Sequence, residues 1–154
     1  MSKITPFLWF NDNAEEAMNF YVSLFKIASI GNISRYGPGG PGPEGSVMAA
    51  SFELEGQQFA VLNGGPMFQF TEAVSFVINC DTQEEVDHFW NALTADGGQE
   101  SRCGWLKDRF GLSWQVVPRV LPKLLSNPDK AKAGRAMQAM MGMKKLDIKA
   151  LEEA

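Results

Sequence analysis

The stretch Phe7-Leu8-Trp9-Phe10-Asn11-Asp12-Asn13-Ala14-Glu15-Glu16 returns in kind at Phe76-Val77-Ile78-Asn79-Cys80-Asp81-Thr82-Gln83-Glu84-Glu85, 69 residues further on. At the same offset Ala17 meets Val86, Phe20 meets Phe89, Tyr21 meets Trp90 and Leu24 meets Leu93. Each copy reads as an apolar strand, an Asp-containing turn and a helix. Self-similarity at a fixed offset marks a duplicated supersecondary unit.

Working outward, the helices are well signalled. Thr82 with Glu85 three residues on forms a capping box, and Asn13 with Glu16 is its weaker equivalent. Val86, Phe89, Trp90 and Leu93 repeat at the i, i+3, i+4, i+7 spacing of one buried face, as do Ala14, Ala17, Met18, Tyr21 and Phe25. Helices are therefore predicted at about Asn13–Phe25 and Thr82–Ala95, the second stopped by Asp96-Gly97-Gly98. Strands follow each helix. In the first copy they are Ala28–Tyr36, Val47–Leu54 and Gln57–Asn63, the last two joined at Glu55-Gly56. In the second they are Gln99–Cys103, Trp105–Lys107 and Leu112–Val117, with Asp108-Arg109-Phe110-Gly111 as the turn. Aligning Gly56 with Gly111 pairs Phe59 with Trp114 and Ala60 with Gln115. After Pro118 the pattern is helical. Asn127-Pro128-Asp129 reads as a helix start with Pro at the first helical position, Met137, Met140 and Met141 form an apolar stripe, and Leu146–Leu151 reads as one more short helix. The expected architecture is α+β, two βαβββ units (about 3–64 and 73–118) and a helical tail (119–154), together one domain over residues 1–154.

Composition narrows the function. The chain has 154 residues, 45% of them apolar, enough for a well-buried core. Net charge is −4, and no basic run is long enough to track a phosphate backbone, so nucleic acid is not an expected partner. No apolar run approaches the roughly 20 residues that span a bilayer, and the first residues carry no export-signal pattern, so no membrane partner is expected. Cys80 and Cys103 are the only cysteines. They read as reduced thiols, which points to a cytoplasmic protein.

Gly97-Gly98 through Cys103-Gly104-Trp105-Leu106-Lys107-Asp108-Arg109-Phe110-Gly111-Leu112-Ser113-Trp114-Gln115-Val116-Val117-Pro118 closely resembles the signature of PhnB-like proteins. Asn127-Pro128-Asp129 through Met143-Lys144-Lys145-Leu146-Asp147-Ile148 is similar to that family's helical tail. The resemblance covers essentially the whole chain. It implies the vicinal-oxygen-chelate fold of the glyoxalase, bleomycin-resistance and dioxygenase superfamily, in which curled sheets enclose a small-molecule cavity. The family is often labelled 3-demethylubiquinone-9 3-methyltransferase-like. A shared fold implies architecture more firmly than reaction.

In the metal-using relatives, His and Glu ligands come from the first and last strands of each half. The corresponding positions here are Thr5 (or Pro6), Ala60, Val74 (or Ser75) and Gln115, none of them His, Asp or Glu. His88, the only histidine, falls off the apolar face of its helix and reads as solvated. Cys80 and Cys103 have no CxxC partner and read as small buried residues. No metal and no other cofactor is therefore expected. A metal-dependent lyase or dioxygenase would need unusual inward carboxylates such as Glu53, Glu55 or Asp108. A methyltransferase would be expected to show a glycine-rich turn after its first strand, and Phe10-Asn11-Asp12-Asn13 has none.

What remains is a cavity with aromatic walls and a few polar groups, suited to an unidentified small organic molecule. The candidate ligand-binding residues are Thr5, Trp9, Ser75, Cys103, Trp105 and Gln115. Trp105 and Gln115 are expected to face inward, and Trp114, one residue from Gln115, to face the other side against a helix. Asp108 and Arg109 read as turn residues stapling the hairpin by an ion pair, and Gly37–Gly45 as a linker. The family resemblance and the Met-rich tail make a homodimer the expected assembly. The competing readings are a metal enzyme with non-standard ligands and a dimeric scaffold that binds nothing.

Overall fold

Residues 2–154 are described by a computed structural model. They form two compact units that meet in sequence between Gln69 and Phe70, with the tail belonging to the second.

The first unit runs β1 (Phe7–Phe10), α1 (Ala14–Leu24), β2 (Ala28–Arg35), β3 (Val47–Leu54) and β4 (Gln57–Asn63). Its sheet is ordered β1-β4-β3-β2, with β1 parallel to β4 and the other pairs antiparallel. Strand alternation divides it cleanly. Leu8, Phe10, Ala50, Phe52, Leu54, Phe59 and Val61 are buried on the side that α1 covers with Ala14, Ala17, Met18 and Tyr21. Phe52 stacks on Phe59 with ring centroids 5.2 Å apart and on Tyr21 at 6.3 Å.

The start of α1 departs from expectation. Asn13 makes no side-chain cap. Instead Asn63, at the end of β4, accepts from Ala14 N at 2.8 Å and donates from Nδ2 to Val47 O at 2.9 Å. A buried amide from a distant strand thus does the work assigned to the local residue, and it ties helix to sheet as a local cap could not.

The second unit runs β5 (Ser75–Cys80), α2 (Gln83–Thr94), β6 (Gln99–Glu100), β7 (Trp105–Lys107) and β8 (Ser113–Pro118), ordered β5-β8-β7-β6. The expected capping box is present in altered form. Thr82 Oγ1 accepts from Glu85 N at 3.2 Å, while Glu85 reaches back to Asp81 N at 3.0 Å. β6 is shorter than the expected Gln99–Cys103 because Cys103 and Gly104 take positive φ (59° and 85°) and turn the chain. A Cβ at Gly104 would lie 2.9 Å from Val116 O, so only glycine fits.

That turn receives the tail, α3 (Val120–Leu125), α4 (Lys130–Met141) and α5 (Ile148–Glu152). Cys103 N donates to Met143 O at 2.8 Å and Gly104 N to Lys144 O at 2.9 Å. The Gln83 amide donates to Leu146 O at 3.1 Å and accepts from Ile148 N at 2.8 Å. Leu121, Leu146 and Leu151 form the tail's own core. α4 begins two residues after Pro128, because Asp129 is the cap, accepting from Ala131 N and Lys132 N. Met137 and Met141 are exposed, and only Met140 of the stripe packs on the tail core.

The structure also refines the repeat. The helices keep the 69-residue offset, with Ala17 and Tyr21 buried like Val86 and Trp90. The leading strands do not. Phe7 and Trp9 lie on the helix-free side of their sheet, whereas Phe76 faces α2 with its ring 5.7 Å from Trp114. A one-residue slip puts strand side chains on the opposite face, so β1 and β5 correspond at an offset of 70, the second strand-to-helix loop being one residue shorter. Thr5 therefore corresponds to Ser75, not to Val74.

The β7–β8 hairpin is organised by Asp108, which is buried. Its Oδ1 accepts from Phe110 N at 2.9 Å and Leu112 N at 3.0 Å, and its Oδ2 accepts from Trp114 Nε1 at 2.9 Å. Arg109, expected to staple the turn with Asp108, pairs with Asp96 at 3.3 Å. Charge-assisted carboxylate-to-backbone bonds of this kind are short and strong, and they satisfy the amides of a tight turn. Trp114→Ala should lower stability in urea by about 3–5 kcal/mol. Asp108→Ala should also destabilise, and a double-mutant cycle should show the two losses to be non-additive by about 0.5–3 kcal/mol. Additive losses would mean that the indole and the carboxylate act independently.

Candidate functional site

Strand alternation also decides which residues are presented on the side of each sheet that its helix leaves open. In β8, Trp114 and Val116 are buried on the α2 side, so Ser113, Gln115 and Val117 lie on the other. In β5 the same side carries Ser75, Val77 and Asn79, and in β7 it carries Trp105 and Lys107. The register arranges these in two neighbouring cross-strand rows, Ser75–Ser113–Lys107 and Val77–Gln115–Trp105. Gln115 reaches diagonally from one row to the other, its Nε2 donating to Ser75 Oγ at 3.0 Å. Three of the expected ligand residues, Ser75, Trp105 and Gln115, thus meet on one helix-free face.

Lys107 pairs with Glu72, three residues before β5. The ammonium hydrogen bond is the main reason that the Glu72 carboxyl titrates below its usual range. Ser113 is 2% exposed, and its Oγ has no hydrogen-bond partner. Sequence reasoning passed over Ser113 and Lys107, although counting by two from Gln115 and reading across the hairpin locates both.

The other candidates lie elsewhere. Thr5 is exposed, just before β1, and Pro6 O accepts from Ala60 N at 2.9 Å, so Thr5 and Ala60 neighbour each other in the first unit. Trp9 is on the helix-free face of the first sheet, but its Nε1 donates to Gly65 O at 2.9 Å and its ring meets Phe68 edge-on at 5.0 Å. The indole also fills the space beside Gly64, where a Cβ would be 2.4 Å from the ring. Its polar group is committed to a loop. Cys103 belongs to the turn that docks the tail. Trp114 faces α2, as expected. Cys80 is buried on the same side, and burial pushes its thiol up to about 12, aided by Glu85 and Asp81. His88 is exposed on α2, its ring 4.9 Å from that of Phe89. The Gly37–Gly45 segment closes on Tyr36 through Tyr36 N to Ser46 O and Gly45 N to Tyr36 O, both 2.9 Å. An acidic groove of about 520 Å³ runs along Asp81, Gln83, Asp147, Glu152 and Glu153, and none of the expected ligand residues borders it.

The four positions expected to correspond to metal ligands form two pairs, Thr5 with Ala60 and Ser75 with Gln115. Neither pair offers an imidazole or a carboxylate. Among the described residues no group of three or more His, Cys, Asp and Glu side chains is placed to hold an ion. The carboxylates that might have substituted are engaged locally: Glu53 accepts from Gln58 Nε2, Glu55 from Ile27 N, and Asp108 within its hairpin. These residues do not fit the metal of the fold's metalloenzymes.

Residues 2–117 match the model of the family described as 3-demethylubiquinone-9 3-methyltransferase. The PhnB protein from Bacillus cereus is 42% identical, with a TM-score of 0.72 over 76% of this chain and 99% of that one. A Pseudomonas aeruginosa protein shares the fold at 23% identity, with a TM-score of 0.65 over 77% and 98% of the two chains. The fosfomycin resistance protein FosX from Listeria monocytogenes, complexed with Mn(II) and sulfate, does so at 13% identity, with a TM-score of 0.54 over 81% and 96%. No curated protein matches the chain.

The two thiols provide a chemical check on these placements, since both are free and only Cys80 is fully buried. Under native conditions at pH 8, a thiol-reactive disulfide reagent should leave Cys80 unmodified, and it should react only after denaturant is added. Rapid native modification of Cys80, located by peptide mass spectrometry, would contradict its placement under α2.

Proposed function

The chain belongs to the 3-demethylubiquinone-9 3-methyltransferase family, and from that membership we propose that it binds or acts on a small organic molecule without a metal ion, on the helix-free face of its second sheet. The observation that carries this reading is the Gln115 amide, which donates to Ser75 Oγ beside Trp105; the family resemblance implies that this is a metal-ligand position in the fold's metalloenzymes. An amide and a hydroxyl are hydrogen-bonding groups with little affinity for a transition metal. An indole beside them offers a flat apolar surface, and this combination suits a small organic ligand.

The methyl transfer in the family's description finds little support in the residues. The β1–α1 turn, Asn11-Asp12-Asn13, has no glycine at which a nucleotide-like cofactor could approach the backbone. No step through a methyl donor or a metal follows from this chain. What the residues offer is orientation by Gln115 and Ser75 and a stacking surface on Trp105.

We place the protein in the cytoplasm, on the strength of two free thiols. No helix among the described residues is long and apolar enough to cross a membrane. Its assembly is proposed to be a homodimer, in keeping with the exposed Met137 and Met141 of the tail. Light scattering at micromolar concentration should then give twice the 17.0 kDa chain mass.

Two measurements test the site. Metal analysis of purified protein should show far less than one equivalent of zinc, iron, nickel or manganese. Gln115→Ala should keep stability within about 0.5 kcal/mol of the native chain and lose the hits that the native protein gives in a fragment screen by ligand-observed NMR. A stoichiometric ion, or hits that survive Gln115→Ala unchanged, would place the function elsewhere.

A further inference from the structure

Ser113 stands out on this face because a buried hydroxyl without a partner destabilises a fold, and native structures keep very few. It sits in the middle of a cross-strand row, with Ser75 on one side and Lys107 on the other. The Ser75 hydroxyl accepts from Gln115 Nε2, which leaves its own hydrogen available to donate. The row therefore converges three donors: two hydroxyls and an ammonium. Glu72 pairs with the ammonium, and no hydrogen-bond partner meets the Ser113 hydroxyl among the described residues. The Glu72 side chain is 63% exposed against 35% for Lys107, so the pair is solvated and held weakly.

We infer that Ser75, Ser113 and Lys107 form a subsite for the carboxylate of a small aromatic acid, and that Glu72 occupies Lys107 as an internal counterion until such a ligand displaces it. The inference rests on the reading that the helix-free face of the second sheet is the binding site, and it names the chemical class that this face takes. A ligand carboxylate that displaces Glu72 and enters far enough to meet the Ser113 hydroxyl, now closed to solvent, would satisfy that hydroxyl and would trade one ion pair for another at little electrostatic cost. The adjacent row supplies the rest of the specificity. Trp105 offers a ring face to the ligand's planar body, Val77 lies on the same row, and Gln115 has its Oε1 available to accept from a hydroxyl or amine.

The test uses the full-length protein and a matched pair of probes, 4-fluorobenzoate and 4-fluorobenzamide, titrated by fluorine NMR. The two have the same ring and differ in charge. The benzoate should bind saturably and at least tenfold more tightly than the benzamide. Lys107→Met and Ser113→Ala should each weaken the benzoate at least tenfold and leave the benzamide as it was. Glu72→Gln should tighten the benzoate severalfold, because the internal competitor is gone. Ser113→Ala should keep or raise the melting temperature, since it removes an unsatisfied hydroxyl. This separates a ligand-binding role from a structural one.

If Ser113→Ala lowers the melting temperature and leaves benzoate binding unchanged, the hydroxyl is structural and the inference fails. It also fails if Glu72→Gln leaves the benzoate affinity unaltered, or if neither probe binds the native protein. Equal binding of both probes, insensitive to Lys107→Met but lost in Gln115→Ala, would overturn the acid subsite while leaving the proposed binding face intact.

Discussion

The buried carboxylate of Asp108 is the constraint on which the second unit depends. A five-residue connection between β7 and β8, residues 108–112, has several backbone solutions, and many would leave amide hydrogens unpaired. By accepting from Phe110 N and Leu112 N, Asp108 selects one of them. By accepting from the indole of Trp114 as well, it fixes which side of the sheet that residue faces. The alternation of β8 follows from there. With Trp114 against α2, Gln115 and Ser113 have to emerge on the helix-free side, and the register with β5 and β7 brings Ser75, Trp105 and Lys107 beside them. A polar face is thus held in place by a polar group on the opposite side of the same hairpin.

Much of this was legible in the sequence because it is periodic. The helices α1 and α2 follow from apolar spacing, the duplication from its repetition, and the opposed facing of Trp114 and Gln115 from the two-residue period of a strand. What escaped was non-periodic or non-local. Asn13 has the composition of a cap, yet the cap of α1 is Asn63, which chain distance conceals. The slip of one residue between β1 and β5 is invisible when Phe7 and Phe76 align so well by type. Only burial shows that one faces away from its helix and the other toward it. Asp108 and Arg109 read naturally as a turn pair because they are adjacent and oppositely charged, but the amides of Phe110 and Leu112 that Asp108 also accepts from are backbone groups that carry no sequence signal. Ser113 was overlooked for a related reason: a lone serine acquires meaning only when the absence of a partner can be seen.

The two units show how one frame diverges once duplicated. Each has a parallel outer pair of strands, a helix over one side and a hairpin beside it. The helix-free residues of β1 and β4 are Phe7, Trp9, Gln58, Ala60 and Leu62, four of the five apolar, while those of β5 and β8 include Ser75, Ser113 and Gln115. The outermost strands differ as well. β2 is eight residues long and exposed along most of its length, whereas β6 has shrunk to two residues. The second copy has given up strand for a turn at Cys103-Gly104, and that turn became the anchorage for the tail. Hydrogen-bonding chemistry and the added helices have both accumulated in the same half.

That anchorage has a bearing on how the protein is made. Residues 143–148 satisfy the amides of Cys103 and Gly104 and both ends of the Gln83 side chain, and Leu146 is wholly buried. A ribosome releases the chain from its beginning, and compact units can form as they emerge. The first unit has all its strands once residue 63 is clear of the exit tunnel. The second must wait, the amides of its Cys103-Gly104 turn unpaired and its Gln83 side chain without its tail partners, until segments some 40 and 60 residues downstream of those groups have been synthesised. During translation the half that carries the polar face is therefore the late one, and it is the half whose nascent form would most need shielding by a chaperone.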